Sequence, residues 1–256
     1  MKMKKPILDS LSFEVRYAYG SLYLDRCGQT MVDIEKRFAG WITGPADPNS
    51  ATMENFEDNF KVQFNSNKYN FFATKPSSQS IEYIAETAAK IWKVILANLN
   101  LEEFPRIGCR AQYLLATKSI EAANNLIKKS SLKIEIPSQI TEDGFSLKSN
   151  KVDVVFINDE IEYQVKLEPI IRSESVNPSA LVSVEPRSLP KNQQEALLNK
   201  LKGLNDYSVN PMYAVQLDVD CSQYHPESFS VEEYINGRHK VVCDKFYFLL
   251  EELWRS

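Results

Sequence analysis

Two segments far apart in the chain share one strand pattern and differ in the sign of its polar side. In Tyr213-Ala-Val-Gln-Leu-Asp-Val-Asp220, Tyr213, Val215, Leu217 and Val219 fall on one side, and Gln216, Asp218 and Asp220 on the other. Arg106-Ile-Gly-Cys-Arg-Ala-Gln-Tyr-Leu-Leu115 also reads as a strand, but it sets Arg106, Arg110 and Gln112 on its polar side. A period of two on this scale demands a sheet with one face on a core and one face in water. Both segments precede helical patterns, so they read as the corresponding strands of two similar halves. If the halves join edge to edge, Arg110 is placed to meet Asp218 in an ion pair.

The rest of the chain fits that frame. Leu11 to Tyr19 alternates as a first strand, and Met31 to Phe38 reads as a short helix ending near Gly40. The stretch from Thr43 to about Asn59 is rich in Gly, Pro, Asn and Asp and reads as a loop. Phe60–Phe64 and Tyr69–Ala73 flank a four-residue polar turn, which is a hairpin signal. Ser80 caps a predicted helix to Leu99 with an apolar stripe from Ile81 through Trp92 to Leu99, and a polar-faced helix follows over Ser119 to Lys129. Residues 130–149 mark a boundary. Beyond it the order recurs as a hairpin, a strand over Leu181 to Val184, a helix over Lys191 to Leu204 between Pro190 and Pro211, the Tyr213 strand and a long closing helix. Ser230 with Glu233 forms the capping box of that last helix. The expected fold is α+β: two similar halves, 1–130 and 131–256, intimately packed, each a mostly antiparallel sheet with helices on one face.

Composition narrows the function classes. A net charge of -4 gives no general electrostatic attraction for a nucleic-acid backbone. Cys27, Cys109, Cys221 and Cys243 lack metal-ligand spacing and are expected as buried free thiols. No apolar run reaches the length of a membrane span, so a cytoplasmic protein is expected. Only two histidines and eight glycines limit relays and phosphate-cradling loops. His225 is expected in a loop, and His239 at the margin of an apolar helical stripe, hydrogen-bonded within the packing.

The segment Val152 to Leu167 carries the most enzyme-like pattern. With a turn at Asn158-Asp159, Ile157 pairs with Glu160 and Asp153 with Gln164; Asp153, Glu162, Gln164 and Lys166 then share one face. This resembles the PD-(D/E)xK nuclease core in the variant with Gln in place of the second acid. The resemblance implies Mg²⁺ or Mn²⁺ on the acidic residues and a Lys that stabilises phosphorane charge. The pattern departs downstream, where Pro169 stands and the usual helix is lacking. Asp218 and Asp220 could themselves ligate a hard cation, but no nearby loop supplies further oxygen ligands.

Over most of its length the chain is similar to a sporadically distributed, uncharacterised bacterial family. The residues that carry this are the Arg-Ile-Gly-x-Arg pattern at Arg106–Arg110, Leu-Asp-Val-Asp at Leu217–Asp220, and His239 followed by Phe246, although Cys109 and Ala111 stand where larger residues are expected. Scattered occurrence of that kind suits an accessory system of the defence or mobile-element type. The leading expectation is a non-enzymatic interaction or assembly component that contacts a protein partner or itself, with Arg106, Arg110, Asp218, Asp220 and His239 as interface candidates and no cofactor. The aromatic side chains Tyr69, Phe71, Phe72, Trp92 and Trp254 are candidate anchors or core. The alternatives are the metal-dependent nuclease, and a small-ligand module with a pocket between the sheet and the C-terminal helix.

Overall fold

The computed structural model describes residues 5–76, 79–131, 150–158, 160–172 and 211–255, with 191, 194, 195 and 198 between the last two stretches. In chain order these form β1 (Ile7–Arg16), a 3-10 turn (Gly20–Leu22), α1 (Tyr23–Arg37), β2 (Ile42–Ala46), β3 (Ala51–Asn55), β4 (Phe60–Phe64) and β5 (Lys68–Thr74). Then come α2 (Ile81–Leu99), β6 (Arg106–Thr117), α3 (Ile120–Lys129), β7 (Val152–Asn158), β8 (Ile161–Arg172), β9 (Met212–Tyr224), α4 (Val231–Lys245) and α5 (Phe248–Arg255). The fold is α+β, with a helical C-terminus. Among the described residues no helix is long and apolar enough to cross a membrane.

The described strands form one nine-stranded sheet in the order β2-β3-β4-β5-β1-β6-β9-β8-β7. Every pairing is antiparallel. Outward from the β1–β6 seam, β5, β4, β3 and β2 lie on one side and β9, β8 and β7 on the other. The chain visits β1, a helix, then the outer strands inward and a second helix; it repeats that route from β6. The repeat therefore begins at β6, which is the counterpart of β1, and β9 is the counterpart of β5. Arg106–Leu115 and Tyr213–Asp220 are thus neighbours within one unit, and the expected division at 130/131 falls after α3.

Alternation decides which face carries the helices. One side of the sheet presents Phe13, Val15, Phe64, Tyr69, Phe71, Ile107, Val165, Leu167, Leu217 and Val219, all buried. Against it lie Ile84, Ala88, Ile91 and Ile95 of α2 and Tyr234 and Ile235 of α4, also buried. The Tyr69 hydroxyl donates to the Ala88 carbonyl at 3.0 Å, and Phe13 meets Tyr234 with ring centroids 5.9 Å apart. Ser80, Ser119 and Ser230 cap α2, α3 and α4 through their hydroxyl oxygens, as their positions before apolar runs require.

Four local expectations are corrected. The helix expected over Met31–Phe38 begins earlier, at Tyr23, because Tyr23 packs edge to face on Phe64 and anchors the first turn. The expected loop after Thr43 contains β2 and β3, whose Gly, Pro and Asn residues are tolerated toward the edge of the sheet. The closing helix breaks at Phe246–Tyr247. There Phe246 turns onto Phe156 and Tyr163, while Tyr247 turns onto Tyr113 and donates to the Pro6 carbonyl at 3.2 Å. Of the four free thiols only Cys109 and Cys221 are buried; Cys27 is half-buried, and Cys243 is exposed although its Sγ lies 3.6 Å from the Tyr113 hydroxyl. The Leu181 strand and most of the Lys191 helix lie outside the described residues, although 191, 194, 195 and 198 are helical.

Phe13 is 1% exposed at the centre of the core. Phe13→Ala is expected to cost about 3–5 kcal/mol, whereas Ser80→Ala, which removes only a cap, costs about 1 kcal/mol. Urea unfolding of the two variants checks the ratio.

Candidate functional site

The side of the sheet opposite these helices carries almost every polar residue singled out above, set in rows by the register. One row runs Ser10, Gln112, Asp218, Lys166, Asp153 across β1, β6, β9, β8 and β7; the next runs Ser12, Arg110, Asp220, Gln164, Val155. A third holds Glu14, Gly108, Ser222, Glu162 and Ile157. The two clusters read separately in the sequence are therefore one surface, because β8 lies directly beside β9.

The centre of this surface is a ladder of hydrogen-bonded charges. Asp218 is buried, and its carboxylate receives both ends of the Arg110 guanidinium, with Nε at 2.7 Å from Oδ1 and Nη2 on Oδ2. The expected pair forms, but diagonally: Asp220 lies directly opposite Arg110, and Gln112 directly opposite Asp218. Gln112 donates to Asp218 at 3.1 Å and accepts from the Ser10 hydroxyl at 2.8 Å, which ties β1, β6 and β9 together. Arg106 reaches Glu14 on β1 and Ser222 on β9, with Asp220 3.9 Å away. Hydrogen bonding to Asp218 raises the Arg110 pKa further above its ordinary value. Burial raises the Asp220 carboxyl, against the pull of Arg106 and Arg110. Between β5 and β9, Glu14, Arg106, Arg110 and Asp220, with Arg16, Lys68 and Phe72, line a shallow depression of about 330 Å³.

The outer rows hold the nuclease-like residues. The hairpin register differs by two residues from expectation: Asp153 pairs with Lys166, Val155 with Gln164 and Ile157 with Glu162, because the strands end at Asn158 and Ile161. A shift of two preserves the faces, so the four polar residues still share one side. Gln164 donates to Asp153 at 3.0 Å, and the Lys166 ammonium lies 3.5 Å from the same carboxylate. Glu162 sits two rows from Asp153. Among the described residues no three His, Cys, Asp or Glu side chains are grouped to hold a metal ion. The second and third rows end at the sheet edge in exposed Val155 and Ile157.

His239 is not on this surface. It projects from α4 under the sheet, where its Nε2 is 2.7 Å from the Tyr113 hydroxyl and Cys243 Sγ is 3.7 Å from its Nδ1. Burial lowers its pKa, partly offset by Glu82. Tyr69, Phe71 and Trp92 are core, Trp254 packs at its margin, and Phe72 alone of the aromatic candidates stands on the open face. Ser10, Glu14 and Ser222 were missed as partners of the arginines; β1 and β9 show their alternation in sequence, but not which residue each opposes.

No family model and no curated protein matches the chain. A solved structure of the Methanococcus jannaschii TBP aligns over 97% of this chain and 99% of its own, at 10% identity and a TM-score of 0.26, a likeness too slight to support an inference.

Two outcomes follow. Arg110→Ala leaves the Asp218 carboxylate without its main partner and should destabilise by about 1–3 kcal/mol. Asp218→Asn alone should also destabilise, and the double variant should recover part of the sum, a coupling that a double-mutant cycle in urea measures. For His239, a folded pKa below the unfolded value of about 6.5 means the unfolded chain takes the proton first. Its stability contribution is complete above the unfolded pKa and falls as the pH drops through the window down to the lowered folded value. Unfolding free energies at about pH 7.5 and 5.5 should diverge less in His239→Gln than in the parent.

Proposed function

We propose that the protein is a non-enzymatic interaction or assembly component that docks a protein partner, or a second copy of itself, on the open face of the sheet at its β7–β8 end. The observation that carries this reading is the juxtaposition of mutually neutralised charge rows with exposed Val155 and Ile157, 53% and 72% exposed. Charges already paired within the chain attract little counterion-like or nucleic-acid partner. They do supply a polar rim around an apolar anchor, which is the make-up of a protein interface. Assignment to a bacterial accessory system rests on the resemblance at Arg106–Arg110, Leu217–Asp220 and His239–Phe246.

A second reading keeps one specific observation, the convergence of Asp153, Gln164 and Lys166. A metal-dependent nuclease would use Asp153 toward Mg²⁺ or Mn²⁺ and Lys166 toward the scissile phosphate.

Light scattering on purified protein, with co-purification from the native host, tests the first reading. The expected result is a complex that Val155→Asp/Ile157→Asp abolishes while the melting temperature holds; a strict monomer with no retained partner removes its support. Cleavage of DNA or RNA that requires Mn²⁺ and is lost in Lys166→Ala would favour the second reading instead.

A further inference from the structure

A second concavity lies away from the open sheet face, at the end of the molecule where α2, the 100–105 turn and the loop after β9 meet. It encloses about 570 Å³, within the range of small-ligand sites. Its apolar wall is aromatic. Trp92 of α2 meets Phe104 with centroids 5.7 Å apart and Phe229 at 6.3 Å. Phe104 and Phe229 stand edge to face, 5.3 Å apart at 89°, so the rings form a corner and not a stacked block. Trp92 is buried, but Phe104 and Phe229 keep part of their surface in the cleft.

The two loops are joined before any ligand arrives. The His225 N–H donates to the Pro105 carbonyl at 3.0 Å, which fixes the loop that carries Phe229 against the one that carries Phe104. A cleft with its aromatic wall held in place loses little conformational freedom on binding.

The charged residues of the wall are of one sign. Glu102, Glu103 and Glu227 line the cleft, and no Lys or Arg does. All three are exposed, and among the described residues none is ion-paired. Aromatic faces attract cations through their quadrupole, and carboxylates at the rim add a Coulombic preference of the same sense. A neutral apolar molecule would gain apolar contact with the rings but neither of these attractions; an anion would be repelled.

We propose that this cleft binds a small organic cation: an ammonium carried on an aromatic or apolar body, with the body against Phe104 and Phe229 and the charge toward Glu103 and Glu227. The cleft lies at the Arg106 and Tyr224 ends of β6 and β9, and its lining shares no residue with the proposed protein-docking face.

Isothermal titration with three probes of one shape tests the assignment: phenethylammonium, phenethyl alcohol and phenylacetate. Saturable binding of phenethylammonium is expected, weaker by roughly tenfold for the alcohol and absent for phenylacetate. The Glu103→Gln/Glu227→Gln variant keeps the shape of the wall and should lose roughly tenfold for phenethylammonium alone. Phe229→Ala, checked for an unchanged melting temperature, should weaken the ammonium and the alcohol together. Equal binding of phenylacetate, indifference to the two Gln substitutions, or no saturable heat from phenethylammonium would overturn the proposal. So would tighter binding of N-acetyl-lysine methylamide, which would make the occupant a partner's lysine side chain.

Discussion

Everything in this molecule depends on β6 being paired on both sides, along its whole length by β9 and from Arg106 to Leu114 by β1. Arg106 through Thr117 lie opposite Tyr224 through Tyr213, and most of the same strand lies opposite β1. A strand held on both edges cannot slip by one residue without turning Ile107, Cys109 and Tyr113 into water and Arg110 into the core. That constraint merges the two units into one sheet, with α2 and α4 packed on one side of it. The buried side chains Phe13, Leu217 and Val219 then share one core with α2 and α4.

The open face answers a problem the same constraint creates. Three polar rows crowd acids and bases together over strands spaced too closely for water to separate them fully. Asp218, buried, is tolerable because Arg110 and Gln112 both reach it; Glu14 and Ser222 do the same for Arg106. The result is a surface whose charges are largely spent on each other, bounded by apolar side chains at β7. Such a surface suits recognition by shape and a few anchors better than long-range electrostatic capture.

Local signals were legible wherever one principle acted without rivals. Ser80, Ser119 and Ser230 preceded apolar runs and became caps; the α2 stripe from Ile84 to Leu99 became core. The failures came where packing overrode propensity. Gly44 and the Asn-rich run after it suggested a loop, yet the edge hairpin β2–β3 forms there because β4 offers a pairing edge. Helical periodicity ran through Phe246 and Tyr247, yet two rings drawn to different partners, Tyr163 and Tyr113, broke the helix. The aromatic cleft was not legible, since Trp92 belongs to a helical stripe while Phe104 and Phe229 sit in loops over a hundred residues apart in sequence.

The sequence by itself determined the faces. Alternation is local, so Asp153, Gln164 and Lys166 belonged together on one side, and Arg110 and Asp218 on the polar sides of their strands, before any neighbour was known. Even a hairpin register two residues away from expectation left those faces intact. Tertiary structure alone decided which faces became neighbours: β9 between β6 and β8 brings Asp218 within reach of Arg110 and sets Lys166 beside it. The physical reason is that a period of two fixes where a side chain points, whereas strand order is settled by burial of the whole apolar face, a sum over residues no local pattern contains.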